Sequence, residues 1–311
     1  MQYKLKVLKI NSEENIKIHQ FKFNRKGPKI LVTGGVHGNE SNGMLVCMEF
    51  INYIKKHSEK LCGEIYVIPL LNEKGFQEHT RRNNEVDLNR AFFDGSDNKI
   101  FQVLKNFLEK IDYGLDFHDS GEYYDLCLHA RTPKNKELKE LINHLDVPIT
   151  FLRDGKKGML TNYMNKKNKP FITIENGGNQ YISDKEISKQ IDIIVNLMKY
   201  KGNHIELAKQ CNPKKIVERF RFRTKKTVMF FKNVKLNQKI KKGDLIGYTQ
   251  DFNLDEKVPV FSPINGYIIS LTQKKLIKFN RIIYEIGSTE NCNTTKVVVN
   301  DDKLKVKQFC L

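Results

Sequence analysis

Strand-length apolar runs alternate with longer segments of helical periodicity between Lys29 and Gly202, and this alternation constrains the fold more than any other feature. The strand candidates are residues 29–33, 64–71, 113–117, 147–152 and 171–174. Strands that are apolar along their whole length are typical of parallel sheets, because helices cover both faces. We therefore predict an α/β fold with a mixed, mainly parallel sheet flanked by helices.

Three segments repeat apolar residues at helical spacing, and each predicts an amphipathic helix between strands. They are residues 42–57, 100–111 and 184–199. The first is predicted to bury a stripe of Leu45, Met48, Ile51 and Ile54. Ser183 immediately precedes the third helix and is its predicted N-cap, since a serine hydroxyl can accept a hydrogen bond from the first turn.

After Gly202 the sequence changes to short alternating strands that are separated by Lys-Gly-Asp, Ser-Pro and Asn-Gly turn signals. This texture predicts a smaller C-terminal all-β domain of the barrel-sandwich type. We place the catalytic domain at residues 1–205 and the β domain at residues 206–311.

Composition limits the kinds of partner that we expect the protein to bind. The formal net charge is +18, but the lysines are spread along the chain and no arginine and aromatic patch stands out, so a nucleic-acid partner is not expected. A basic field would favour a small anionic substrate. The first twenty residues lack a signal-type apolar run, and no run approaches the ~20 residues of a bilayer span. The six cysteines are scattered along the chain, which fits a reducing cytoplasm. The sequence does not indicate the oligomeric state.

The first motif with chemistry follows the strand at residues 29–33, where the sequence GGVHGNE places His37 and Glu40 three residues apart. Glycines allow a sharp turn, so that an imidazole and a carboxylate can converge. A second strand runs directly into His118, and ligands in open sheets bind at the carboxyl ends of strands. Two histidines and one carboxylate with an open position form a catalytic zinc arrangement. Strand alternation puts Asp116 on the same face as His118, which it is predicted to orient.

Two further pieces carry acid and base chemistry. The strand at residues 171–174 ends in Glu175, Asn176 and two glycines, and packing gives no reason for an acid there. Glu175 is a candidate base that takes a proton from water and passes it to the leaving amine. The polar segment at residues 81–90 contains three arginines, which suit planar carboxylates and carbonyl oxygens. Taken alone, Glu175 is more simply interpreted as a surface glutamate, and the segment at residues 81–90 as a solvent-exposed charged loop.

Together these motifs resemble the zinc carboxypeptidase superfamily, and within it the succinylglutamate desuccinylase/aspartoacylase branch of deacylases. The resemblance rests on GGVHGNE, DLNR at residues 87–90, LDFH ending at His118 and ITIENGG with Glu175, and it spans residues 29–200. It implies one Zn²⁺ per chain on His37, Glu40 and His118, with Glu175 as the catalytic base.

The resemblance also implies roles for the polar segment. Asn89 and Arg90 are expected to bind the substrate carboxylate. Spacing to the DLNR motif favours Arg82 as the arginine that polarises the scissile carbonyl, whereas the pair Thr80-Arg81 favours its neighbour. We predict Arg82 in the catalytic role and Arg81 in substrate binding.

The predicted function is zinc-dependent hydrolysis of an amide bond, most simply deacylation of an N-acyl amino acid or a related small carboxylate. One alternative is a metallocarboxypeptidase that trims a peptide such as a peptidoglycan stem peptide, which the segment LDFHDSGEYY at residues 115–124 also resembles. An alternative of another class is a non-catalytic binding protein that retains the fold.

Overall fold

A computed structural model describes residues 1–178, 182–216, 218–252 and 256–290. The chain divides into two compact units. The first consists of Met1–Gly121, Leu128–Asn176 and residues 182–213. The second combines Glu122–Cys127 and the two glycines at 177 and 178 with the described residues from Lys214 onward. The domain boundary between residues 205 and 206 stays a prediction.

The strands before residue 182 form a mixed sheet. They are β1 (Gln2–Lys9), β2 (Asn15–Lys22), β3 (Lys29–Thr33), β4 (Glu64–Ile68), β5 (Tyr113–His118), β6 (Tyr124–Thr132), β7 (Ile149–Leu152) and β8 (Phe171–Gly177). Their order is β1-β2-β4-β3-β5-β8-β6, with β7 beside β6. The pairs β3–β4, β3–β5, β5–β8 and β6–β7 are parallel, whereas β1–β2 and β2–β4 are antiparallel.

Helices cover both faces of this sheet. They are α1 (Asn42–Lys56), α2 (Glu73–Gln77), α3 (Lys99–Leu108), α4 (Lys136–Ile142), α5 (Leu160–Lys166) and α6 (Asp184–Lys201). Val32 of β3 belongs to one apolar cluster with Phe50 of α1 and Ile194 of α6, whereas its neighbour Leu31 belongs to another with Leu104 of α3. Successive residues of a strand thus supply two cores. Within the described ranges, no helix has the length and hydropathy needed to cross a bilayer.

The predicted helices form, although only Ile51 and Ile54 of the predicted α1 stripe are buried. Leu45 and Met48 are 39% and 54% exposed, whereas Cys47 and Phe50 are fully buried. Apolar residues occupy nearly every position between residues 44 and 48, so the periodicity there is ambiguous and packing decides the face. The N-cap prediction for α6 is confirmed, because Ser183 forms a capping box with Glu186.

The prediction of a mixed α/β fold is confirmed, but "mainly parallel" is wrong. Among the described pairings antiparallel pairs outnumber parallel ones. One reason is the hairpin of β1 and β2, which alternates lysines with apolar residues and lies outside the predicted strands. Such half-exposed alternation is typical of antiparallel strands. The other reason is the second unit, in which the described strands pair with one another in antiparallel orientation.

The second unit is the smaller β region that the turn signals indicated. Its strands from Lys214 onward are β9 (Lys214–Ile216), β10 (Glu218–Arg223), β11 (Val228–Lys232), β12 (Lys239–Ile240), β13 (Leu245–Gln250), β14 (Val258–Phe261), β15 (Gly266–Thr272), β16 (Leu276–Ile277) and β17 (Ile282–Ser288). One sheet contains β15-β17-β10 with β12 paired to β15, and the other has the order β14-β13-β11-β16. Phe220, Phe230 and Ile268 belong to the apolar cluster of this unit.

Candidate active site

Three strands carry buried polar residues on one face near their carboxyl ends. Thr33 of β3 donates from its hydroxyl to Asp116 Oδ1 of β5 at 2.7 Å, and Thr173 of β8 is the register partner of Asp116. Two residues further along, His118 and Glu175 are again register partners. Residues two apart in a strand share a face, so the alternation that builds the core also places this histidine and this glutamate side by side.

The three predicted metal ligands lie together and are buried. His37 Nδ1 is 2.8 Å from Glu40 Oε1, His118 Nδ1 is 2.8 Å from Glu40 Oε2, and the two Nδ1 atoms are 3.2 Å apart. Tetrahedral ligand atoms at ~2.1 Å from zinc are separated by ~3.4 Å, so the three atoms converge as zinc ligands would, although two of the pairs are about 0.6 Å closer together. The donor set of two imidazoles and one carboxylate also suits that ion.

The loop that carries His37 and Glu40 depends on glycine. Gly35 has a φ of +60°, a conformation that side chains other than glycine rarely adopt. A Cβ atom on Gly38 would lie 2.0 Å from the carbonyl carbon of Gly75 in α2. The loop therefore packs directly on the backbone of α2, which fixes the two ligands on either side of Gly38.

Each histidine of the cluster has a carboxylate at Nε2, the ring nitrogen that faces away from Glu40. Asp87 Oδ1 lies 3.1 Å from His37 Nε2, and Asp116 Oδ2 lies 2.8 Å from His118 Nε2. A carboxylate on the outer nitrogen of a histidine fixes the ring and leaves the other nitrogen for a metal. The contact expected for Asp116 is present. The partner of His37 was not identified from the sequence, although Asp87 is the first residue of the DLNR motif.

Charge in the cluster favours a cation. Burial would raise the pKa of Glu40, but His37 and His118 hold it far below its ordinary value. Burial lowers the pKa of His118, but the carboxylates of Asp116 and Glu40 raise it by more. The pKa of His118 therefore lies well above its usual range. Burial and the charge of Glu40 raise the pKa of Asp119 to about 8. The imidazoles thus lie among several carboxylates, an environment that a divalent cation would balance.

Glu175 is largely buried and is paired with an arginine. Its side chain is 12% exposed, and Oε1 accepts a hydrogen bond from Arg131 Nη1 at 2.9 Å. Burial would raise the pKa of Glu175, but Arg131, His118 and His129 lower it below its ordinary value. Arg131 was not recognised from the sequence, because it lies within β6 and only the pairing of strands brings it to Glu175.

The two candidate arginines occupy different surroundings. Arg81 donates from Nη1 to Glu40 Oε1 at 2.6 Å, and its Nε lies 3.5 Å from Asp87 Oδ2. Arg82 has a side chain that is 56% exposed, and its Nη1 donates to the backbone oxygen of Glu85 at 3.1 Å. The structure therefore brings Arg81 to the ligand cluster, whereas Arg82 contacts its own loop. The catalytic role of Arg82 stays a prediction.

Asn89 and Arg90 follow in a short 3₁₀ turn. Asn89 is buried, its Nδ2 lies 3.3 Å from His118 Nε2, and its Oδ1 accepts from the backbone N–H of Leu160 at 3.1 Å. Arg90 is exposed and donates to the backbone oxygen of Asn89. The turn thus places an amide beside the histidine and a guanidinium toward solvent, and their role with substrate stays a prediction.

Comparison with known proteins decides the family. Residues 26–201 match the succinylglutamate desuccinylase/aspartoacylase catalytic domain. The chain belongs to this family. The matched segment includes His37, Glu40, His118 and Glu175, and the enzymes for which the family is named remove acyl groups from amides.

One relative with a known activity is distant in sequence. N-alpha-acetyl-L-2,4-diaminobutyric acid deacetylase of Halomonas elongata is 26% identical over 113 residues, which are 34% of this chain and 32% of the relative. The match therefore spans about a third of the length of that deacetylase.

Two solved structures show the same fold over nearly the whole chain. The product-bound ectoine utilization protein EutE (DoeB) of Ruegeria pomeroyi has a TM-score of 0.76 at 22% identity and covers 88% of this chain and 89% of its own. A succinylglutamate desuccinylase/aspartoacylase of Rhodobacter sphaeroides has a TM-score of 0.79 at 16% identity, with 94% and 96% covered.

Proposed function

We propose that this protein is a zinc-dependent hydrolase that removes the acyl group from an N-acyl amino acid or a related small carboxylate. The observation that carries the proposal is the convergence of His37, Glu40 and His118, with Glu175 beside His118 on the neighbouring strand. Membership in a family of amide-cleaving deacylases supports the reaction class. The diaminobutyrate deacetylase supports an N-acyl amino acid as the substrate.

His37, Glu40 and His118 would hold one Zn²⁺, which when bound supplies a Lewis acid for the amide carbonyl and an acidified water. Glu175 takes a proton from the attacking water and delivers it to the leaving nitrogen. Burial alone would raise the pKa of Glu175, but the ion pair with Arg131 and the nearby histidines keep that pKa below its ordinary value, so Glu175 can act as a base before it acts as an acid.

The polar segment would bind the substrate. Asn89 and Arg90 are proposed to hold the substrate carboxylate, through an amide and a guanidinium that can donate in parallel. Spacing supports Arg82 as the donor to the carbonyl oxygen, whereas the contact of Arg81 with Glu40 supports Arg81. An anionic substrate agrees with the net charge of +18. The cytoplasm is the proposed compartment, which free thiols at Cys47, Cys62 and Cys127 support.

A hydrolysis screen tests the proposal. Purified protein is assayed against N-acyl amino acids that differ in acyl group and against short peptides, with and without a chelator, and bound metals are measured by elemental analysis. We expect about one zinc per chain and deacylation that is lost on chelation and restored by zinc. His37→Ala should lose the metal and the activity together.

Glu175→Gln separates chemistry from metal binding. The variant should retain zinc and lose activity, since the amide cannot accept the proton. Glu109→Gln, at an exposed glutamate of the same unit, is the matched control and should leave both unchanged. A zinc-loaded protein that cleaves none of the substrates would support the non-catalytic alternative, and cleavage of peptides alone would support the carboxypeptidase.

A further inference from the structure

We propose that Arg131 is a positioning residue for Glu175, which holds one carboxylate oxygen so that the other is directed at the attacking water. The inference rests on the proposed function and adds a member to its machinery. Arg131 belongs to β6, outside the HxxE, DLNR and ENGG motifs that identify the family in this sequence.

Strand geometry brings the two side chains together. Leu128 and Ala130 of β6 belong to the apolar cluster that contains Val32 of β3. The alternate residues His129 and Arg131 therefore point to the opposite face of the sheet. Ile174 of β8 lies in the same cluster, which puts Glu175 on that opposite face as well. The pairing of Arg131 with Glu175 thus follows from the alternation of two strands.

The contact is specific in its atoms. Arg131 Nη1 donates to Glu175 Oε1 at 2.9 Å, with the arginine side chain 33% exposed and the glutamate 12% exposed. A charge-assisted hydrogen bond of this length restricts rotation of the carboxylate. Because Oε1 is engaged, Oε2 is the oxygen that we assign to proton transfer.

Charge explains why this position suits arginine. A buried carboxylate without a partner is costly in free energy and tends to become protonated, and a protonated glutamate is no base. The carboxylate of Glu40 adds like charge nearby. A guanidinium remains charged at every relevant pH and is planar, so it both offsets the burial and fixes the orientation of its partner.

An arginine at this place has a second conceivable role, as a ligand for a carboxylate of the substrate. In that role it would act independently of Glu175 and would affect substrate binding. The positioning role predicts that all its influence passes through Glu175, so the two roles give opposite results in a double-mutant cycle.

The cycle compares wild type, Arg131→Met, Glu175→Gln and the double variant on the best substrate of the screen. We expect Arg131→Met to lower kcat by about 10–100-fold with KM nearly unchanged, the usual effect of removing an outer partner. Arg131→Lys should recover part of the loss, since it keeps the charge without the fork. In the Glu175→Gln background, Arg131→Met should have no further effect, because no base is left to position.

A rise in KM with kcat preserved, or a further loss of activity in the Glu175→Gln background, would overturn the positioning role. Lys139→Met, at an exposed cationic residue of α4 in the same unit, is the control and should behave as wild type. Zinc content and thermal unfolding of each variant check its folding. If Arg131→Met does not fold, Arg131→Lys and Arg131→Gln carry the same comparison.

The inference and the proposed function fail separately. A wild-type protein that cleaves no substrate contradicts the function. The positioning role is then tested by crystal structures of zinc-loaded wild type and Arg131→Met. We expect the Glu175 carboxylate to stay on Arg131 in the first and to rotate in the second, and an unchanged carboxylate orientation would refute the inference.

Discussion

At the scale of single residues, the outer nitrogens of the two histidines are as constrained as the inner ones. His37 and His118 each have a carboxylate at Nε2, from Asp87 and Asp116, while their Nδ1 atoms converge on Glu40. The outer carboxylates therefore determine which nitrogen is available to a metal, before any metal binds.

Replacing the outer partner of His37 should weaken zinc binding. In Asp87→Asn the amide cannot hold the imidazole in one tautomer as a carboxylate does, so we expect zinc affinity to fall by about 10–100-fold. Competition with a chromophoric chelator at fixed pH measures the dissociation constant. Glu85→Gln, at a fully exposed neighbour in the same loop, is the control. Equal affinity in Asp87→Asn and wild type would show that this contact does not orient the ligand.

The roles of Arg81 and Arg82 can be separated by a pair of variants. The arginine that stabilises the oxyanion should cost about 10²–10³ in kcat when replaced by alanine. The other should leave kcat within a few-fold, with any loss confined to KM. Kinetics of Arg81→Ala and Arg82→Ala on one substrate decide between them, and normal kcat in both would exclude either as the donor.

The residues that sequence could locate are those that directly follow strand ends. His37, Glu40, His118 and Glu175 stand where an apolar run stops, so their types and places already indicate chemistry. Arg131 has no such signal, because it lies within β6 and its partner is 44 residues away in the chain. Contacts between distant strands require the sheet order, which local patterns do not contain.

At the scale of elements, the sequence patterns predict where helices and strands occur better than which elements pack or pair with one another. Every residue from 44 to 48 in α1 is apolar, and only packing selected Cys47 and Phe50 over Leu45 and Met48 for burial. In the same way, the alternating lysines of β1 do not by themselves indicate a strand. Its partner β2 determines that this chain segment is a strand.

The cap of α6 allows a direct test of local stabilisation. Ser183 accepts from the backbone N–H of Glu186, and the Glu186 carboxylate accepts from the backbone N–H of Ser183. Ser183→Ala should lower the free energy of unfolding by about 1 kcal/mol, because it leaves a backbone donor without its partner. Urea unfolding measures the change. Ser188→Ala, at an exposed position inside the same helix, should cost far less, and equal losses would argue against the cap.

At the scale of the whole molecule, the second unit contains a buried cluster of ion pairs. Glu285 is completely buried and forms ion pairs with Arg219 and Arg221 of β10. Burial would raise the pKa of Glu285, but the two arginines lower it below its ordinary value. A group whose folded pKa is depressed stabilises the fold above its unfolded pKa and loses that contribution as the pH falls through the folded value.

Acid should therefore remove a contribution that Glu285→Gln lacks from the start. At pH 7 we expect the variant to be less stable than wild type by about 3 kcal/mol, since two guanidiniums lose their carboxylate. The difference should narrow as the pH falls below the ordinary glutamate pKa of about 4.3. Denaturant unfolding between pH 7 and pH 3 measures both curves. Glu256→Gln, at an exposed glutamate, is the control, and parallel curves for Glu285→Gln and wild type would contradict the linkage.

The shared register of β5 and β8 has a consequence for how this scaffold can diverge. His118 and Glu175 face one another across paired strands. Inserting one residue within either strand would turn that side chain into the apolar layer and bring the apolar residue before it, Phe117 in β5 or Ile174 in β8, onto the polar face. Length variation among homologous sequences should therefore concentrate in the connecting loops, and designed chimeras should exchange these two strands only as a matched pair.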